Sequence, residues 1–318
     1  MRIRGMTPKS LAGPGLLVLA LALLASLTLY ASAYAVILVT SILMYVILAL
    51  SWAMFSGPTG YMSLAPAAFF GMGIYTAAVL GVKVPLALVI LLAGVCSFCL
   101  ALLIGALTLR LRGIYFIIFT IGLVELIKNL VLWYEVTFTG TRGRFVFPVN
   151  NNTIYYIMLV ILVLLLLTDY LIRHSRYGLA LQSIGEDEHA AAHVGVNVNP
   201  LKTTLFAISA AFMGAAGAIM ATRWSYIDPY IAFNPLFSFM AVLMAIFGGL
   251  GQPYGPILGA VIIAYLEETL ITRFPYHYML IFGIVLVATI LYLPGGLVGL
   301  APKLRGWIVR GRRAHPGG

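Results

Sequence analysis

Residues 173–202, RHSRYGLALQSIGEDEHAAAHVGVNVNPLK, form a charged island in an otherwise apolar chain. Glu186, Asp187 and Glu188 stand in a row there, three of only nine acidic residues in 318. Ser183-Ile184-Gly185-Glu186 has the spacing of a capping box, in which the serine hydroxyl and the glutamate carboxylate serve each other's unpaired amides at a helix start. That predicts a short helix, with acidic groups in its positive first turn, the helix formers Ala190 to Ala192 in its body and His193 near its negative end. Gly195 can take the left-handed stop, and Asn199-Pro200 predicts the N-cap and first-turn proline of the next helix. The island reads as a surface helix bracketed by membrane-embedded ones.

Composition supplies the membrane. Hydrophobic residues make up 62% of the chain and charged residues 9%, and mean hydropathy is +1.05, values that no domain with a water-facing surface carries. The net charge of +10 does not indicate a nucleic-acid partner, because the basic residues gather between apolar runs instead of interleaving with aromatics on one face. Cys96 and Cys99 lie inside an apolar run, where small-residue packing outweighs redox or metal chemistry.

Outward from the island, the apolar run from Leu11 to Phe55 is about twice the roughly 20 residues that one crossing needs, so two helices share it and turn near Tyr30 to Tyr34. Its first part exceeds the core of a cleavable signal and is expected to be retained. SGPTGYMSLAPAAFFGMGIYTAAVLG, residues 56–81, crowds glycine and proline into an apolar context. Such backbone survives at membrane depth only when packed in protein or lining a cavity, which predicts a broken or re-entrant segment leading into a helix to about Leu80. Further spans are expected at about 84–109, 113–134 and 154–172, then 201–222, up to Phe247, 257–270 and 278–298. Glu125 and Lys128 share one helix face as a neutralised pair, and residues 135–152 form a polar loop carrying Arg142 and Arg144. Small residues from Ala207 to Ala221 make a stripe for close helix contact.

The fold expected is therefore all-α, a polytopic transmembrane bundle of about 8–10 spans, with tails at 1–10 and 301–318, a membrane domain over 11–300 and the island as its loop 173–200. With the N-terminus inside, thirteen basic residues face the cytoplasm and five (Lys83, Arg142, Arg144, Arg223 and Arg273) face outward, which sets both termini and the island helix on the cytoplasmic side.

No chemistry is evident. GxxxxGK[ST] is absent, so this chain has no P-loop to cradle ATP, and any ATP dependence belongs to a partner. His189 and His193 have ligand spacing but no third ligand, and Glu267-Glu268, being adjacent, point different ways. No catalytic or metal-binding residue is assigned and no enzyme activity is expected. An ion-coupled secondary transporter, the competing class, would need an acid at a midplane site.

Four stretches in order, GYMSLAPAAFFGMGIYTAAVL (60–80), LRLRGIYFIIFTIGLVELI (109–127), 176–221 and FGGLGQPYGPILGAVIIAYLEE (247–268), resemble the LivM-type permeases of branched-chain amino-acid ABC importers. The resemblance implies a bacterial inner-membrane subunit working with a second related permease, two ATPase subunits and a periplasmic solute-binding protein. It also implies that the island helix is the coupling helix that docks on the ATPase, through Glu186, Asp187, Glu188, Ala191, Ala192 and Gly195. Thr59, Tyr61, Ser63 and Tyr75 are candidates for lining the path, or equally for serving the freed backbone of the broken helix. One departure stands out: where the family commonly has Ser-Leu-Gly-His-Ala-Ala-Phe, this chain has Ser63-Leu64-Ala65-Pro66-Ala67-Ala68-Phe69. Urea and short-chain amide importers use similar permeases, so those solutes stand beside leucine, isoleucine and valine.

Overall fold

Ser32 caps the first long helix by accepting a hydrogen bond from the Ala35 amide, and that helix, α1, runs Ala33–Thr59. The computed structural model describes residues 21–81, 84–111, 113–277, 280–284, 287 and 296–299. After α1 come α2 (Pro66–Leu80), α3 (Leu86–Thr108), α4 (Ile114–Tyr134) and α5 (Asn151–Arg173). The surface helices α6 (Arg176–Glu186) and α7 (Glu188–His193) precede α8 (Val198–Ala221), α9 (Pro229–Ala232), α10 (Leu236–Gly248) and α11 (Tyr254–Arg273). A two-residue strand β1 (Arg144–Phe145) pairs antiparallel with β2 (Tyr226–Ile227), Arg144 opposite Ile227. The chain is an all-α polytopic bundle. Among the described residues, seven helical stretches are long and apolar enough to cross a membrane, counting α4 with the π turn that follows it and α9 with α10. The expected tails at 1–10 and 301–318, the start of the first expected span, most of the last, Lys83 and Arg112 lie outside the described residues.

Helix α8 is the axis of the bundle, with α1, α2 and α3 packed on it. The small-residue stripe makes this possible: a Cβ on Gly214 would sit 2.1 Å from Ser97 Oγ, and one on Gly73 would sit 1.9 Å from the Gly214 carbonyl. Where backbones come this close, dispersion contacts and not water exclusion hold helices together. Phe206 fills the wider gap nearby, its ring 4.8 Å from Phe55 and 5.1 Å from Phe69.

Two helices of the bundle are, taken alone, too short for the roughly 30 Å hydrocarbon layer. α2 has 15 residues and α10 has 13, so each rises about 20 Å at 1.5 Å per residue. Pro66 opens α2 at its first position, where a missing N–H costs nothing. This gives the departure at Ala65-Pro66 a local reason.

Three expectations need correction. Ser183 does not cap the surface helix; it lies within α6 and its hydroxyl donates to the Ala180 carbonyl. Residues 176–186 form a helix of their own, because Ser175 caps them and Gly178, Leu181 and Ile184 give them a face to bury. Asp187 is the cap of α7, its Oδ1 accepting from the His189 amide at 2.8 Å and the Ala190 amide at 3.1 Å. Asn197, not Asn199, precedes α8, which makes Pro200 its third residue, within the first turn as expected. Glu135 is not part of a solvated loop: the chain continues helically through a π turn, Glu135–Thr139, and the residue is fully buried. It accepts hydrogen bonds from Gly143 N at 2.8 Å and Arg144 Nε at 3.0 Å, so the carboxylate organises the loop.

Candidate functional site

Between α1 and α2, residues 60–65 have no regular structure, and their backbone groups need partners in an apolar setting. Two helices supply them, and a third serves the first turn of α2 just beyond. Trp52 Nε1, two turns before the end of α1, donates to the Ser63 carbonyl at 2.7 Å, so the stretch doubles back along α1 into the bundle. Thr120 Oγ1 on α4 accepts from Leu64 N at 2.9 Å, and Ser238 Oγ on α10 accepts from Ala67 N at 2.8 Å. The broken or re-entrant segment expected from the glycines and prolines is therefore present as a break between α1 and α2. It brings the start of α2 against the start of α10, where Phe70 and Phe237 meet at 4.8 Å.

At its outer end the same stretch is joined to the surface helix. Tyr61 Oη donates to Glu188 Oε2 at 2.9 Å. Lys202, in the first turns of α8 and wholly buried, donates to Glu188 Oε1 at 2.6 Å, to Tyr61 Oη at 3.0 Å and to the Leu109 carbonyl at 3.1 Å. The ammonium thus has three acceptors for its three protons, and it stands 4.3 Å from the centre of the Tyr61 ring. A buried charge is tolerable only under such satisfaction. The Leu109 carbonyl, just past the last turn of α3, adds the negative end of that helix. α7, α8, α3 and the re-entrant stretch converge on one carboxylate.

Approach of the surface segment depends on Gly185. A Cβ there would lie 2.3 Å from the Pro58 carbonyl, so α6 rests directly on the end of α1. Gly195, with φ of +90°, closes α7: its amide bonds the Ala192 carbonyl at 3.0 Å and the Val196 amide bonds the Ala191 carbonyl at 3.1 Å, a Schellman arrangement.

The six residues named on the island divide by face. Glu188 and Ala191, three apart, turn inward, Ala191 being 2% exposed. Glu186, Asp187, Ala192 and Gly195 are exposed. Of the four residues named for the path, Thr59, Tyr61 and Ser63 are brought together. Thr59 Oγ1 donates to the Phe55 carbonyl at 2.7 Å and Ser63 Oγ accepts from Ala65 N at 3.1 Å, so both hydroxyls serve local backbone. Tyr75 lies about 14 Å further along α2, nine residues beyond Pro66, against Phe233. Sequence reasoning missed Lys202 as a site residue, counting it among solvated cytoplasmic bases. The signal was its place inside the first turns of an apolar helix, 14 residues after an acid across a glycine-closed turn.

Half-length helices meeting inside a polytopic bundle, with a short helix fastened to one end, are the parts of a transport permease. The chain belongs to the branched-chain amino acid transport system permease component family, whose model matches residues 34–290. It is 27% identical over 301 residues to the high-affinity branched-chain amino acid transport system permease protein LivM of Salmonella typhimurium, covering 84% of this chain and 70% of that protein. Against LivM of Escherichia coli K12 it is 27% identical over 312 residues, 86% and 73% of the two chains. A ribose import permease, RbsC of Haemophilus influenzae, is 28% identical over 128 residues, 38% of this chain and 40% of that one. No solved structure matches the chain.

Proposed function

We propose that this chain is one transmembrane subunit of an ATP-driven importer of branched-chain amino acids. In this reading α7 is the coupling helix, seated in a groove of an ATPase subunit that binds the ATP, and the end of the bundle carrying it faces the cytoplasm with both termini. A second, LivH-like permease completes the path, and a periplasmic binding protein delivers the solute. The single observation that carries the reading is the Glu188 junction. A push on α7 reaches Tyr61 through one hydrogen bond, and Tyr61 belongs to the stretch that sets the start of α2. Two packings of a half-helix inside a bundle are the kind of bistable element that alternates access between the two sides. The exposed residues Glu186, Asp187, Ala192 and Gly195 would meet the ATPase, while Glu188 and Ala191 would transmit the movement inward.

A second reading keeps the machine and changes the cargo. The Ala65-Pro66 departure and the partial likeness to a ribose permease favour another small polar solute on the same architecture. Uptake of labelled leucine, ribose and urea into cells carrying this chain with its partners separates the two. ATP-dependent leucine uptake is expected, and uptake driven by a proton gradient alone, without ATPase subunits, would overturn the proposal.

A further inference from the structure

Outside the junction, a groove of about 630 Å³ runs between α6 and the first half of α8. Leu201, Thr204, Leu205 and Ile208 line one wall, and Tyr177 and Arg176 stand at the α6 side. Ile208 is ten residues inside α8, about 15 Å from its start, so with α8 starting at the cytoplasmic membrane face, as proposed above, the apolar wall reaches the depth of lipid tails. α6 lies differently from the spans. It buries Gly178, Leu181 and Ile184 and leaves Tyr177 63% and Leu179 68% exposed, the arrangement of a helix lying in the membrane surface.

The charge at the mouth is specific. Arg173 nearby is taken by Asp169 at 2.7 Å, whereas Arg176 is exposed and forms no ion pair among the described residues. It is the first residue of α6, so the positive end of that helix adds to its guanidinium. A ligand that matches both features has an apolar tail long enough to follow α8 and an anionic head for Arg176. We infer that the groove is a site for an acidic phospholipid, its acyl chain along Leu201, Leu205 and Ile208 and its phosphate on Arg176. A free phosphate would leave the apolar walls wet, and an apolar helix from a partner would leave the arginine without its counter-charge. The inference does not depend on which solute the chain carries.

The test uses the full chain in nanodiscs, with phosphatidylglycerol and phosphatidylcholine as probes and bound lipid counted by native mass spectrometry after detergent exchange. Wild-type protein is expected to retain phosphatidylglycerol about fivefold over phosphatidylcholine, the worth of one surface arginine. Arg176→Gln should bring the two lipids level, Arg176→Lys should keep most of the preference, and Thr204→Trp should displace both lipids. Equal retention of the two by the wild type, or an unchanged preference in Arg176→Gln, overturns the proposal. Loss of phosphatidylglycerol to millimolar inorganic phosphate would mark a plain anion site. Shielding of Ile208→Cys, which is part-exposed in the groove, from a lipid-borne thiol reagent by an associated polypeptide would mark a protein interface. Either result overturns it too.

Discussion

Tyr61 and Glu188, 127 residues apart in the chain, share a hydrogen bond of 2.9 Å, and this contact joins the surface helix to the break in the bundle. The tyrosine hydroxyl donates to the carboxylate while accepting from Lys202, so the three groups form a closed ring. Neither end of this contact can shift alone without leaving a charged group short of a partner.

Lys202→Met should therefore be severe. Removing the lysine takes the buried ammonium away from Glu188 and leaves the Leu109 carbonyl without that donor, and with Glu188 keeping 16% side-chain exposure the cost should be about 3 kcal/mol. Glu188→Gln combined with Lys202→Met should cost clearly less than the sum of the two single changes. Thermal unfolding of the four proteins in one detergent measures the difference, and strict additivity would show that the contact carries no coupling.

Tyr61→Phe keeps the ring beside Lys202 and removes only the hydroxyl. A loss of roughly 2–4 kcal/mol is expected, since the hydroxyl's hydrogen bonds to two charged groups, Glu188 and Lys202, both disappear. If α7 drives the re-entrant stretch, leucine taken up per ATP hydrolysed should fall while hydrolysis persists in reconstituted vesicles. An unchanged ratio would remove Tyr61 from the transmission route.

Gly195→Val places a β-branched side chain at φ of +90°, costing about 1–2 kcal/mol or more of local strain although no atom lies near the added Cβ. Uptake should be lost with the protein still inserted at normal abundance. Gly195→Asn, which tolerates the left-handed region, should retain much of it. Equal loss in both variants would point away from backbone geometry.

Much of this was legible in the chain. Glycine and proline spacing located the interrupted segment and the end of α2 at Leu80, the small-residue stripe picked out the face of α8, and Gly195 announced its own conformation. What stayed hidden depended on partners distant in sequence. Ser183-Ile184-Gly185-Glu186 satisfied a local capping pattern, but Ser175 offered an earlier start and the apolar face of α6 could be buried on α1. Glu135 looked like a loop acid because Gly143 and Arg144 become its donors only once the loop folds back over it. Lys202 had the charge of a surface base, and only the convergence of Glu188, Tyr61 and Leu109 makes its burial affordable.

Ser238→Ala should leave the Ala67 amide without its acceptor where no water can replace it, at a cost of about 1–3 kcal/mol. Ser238→Thr, which keeps the oxygen, should restore most of the loss. Proteolysis between residues 60 and 65 in detergent reads the opening of the stretch, and cutting at the wild-type rate in the alanine variant would count against the contact.

That bond also bears on how the protein is made. Ser238 is 171 residues downstream of Ala67, so at roughly 5–20 residues per second a ribosome needs about 10–30 s to deliver it after the break has been synthesised. Throughout that interval the nascent half-helix must be shielded by the insertion machinery or lie at the bilayer surface. Biogenesis of this chain thus has a built-in waiting step, ended when the α10 segment arrives to seat α2.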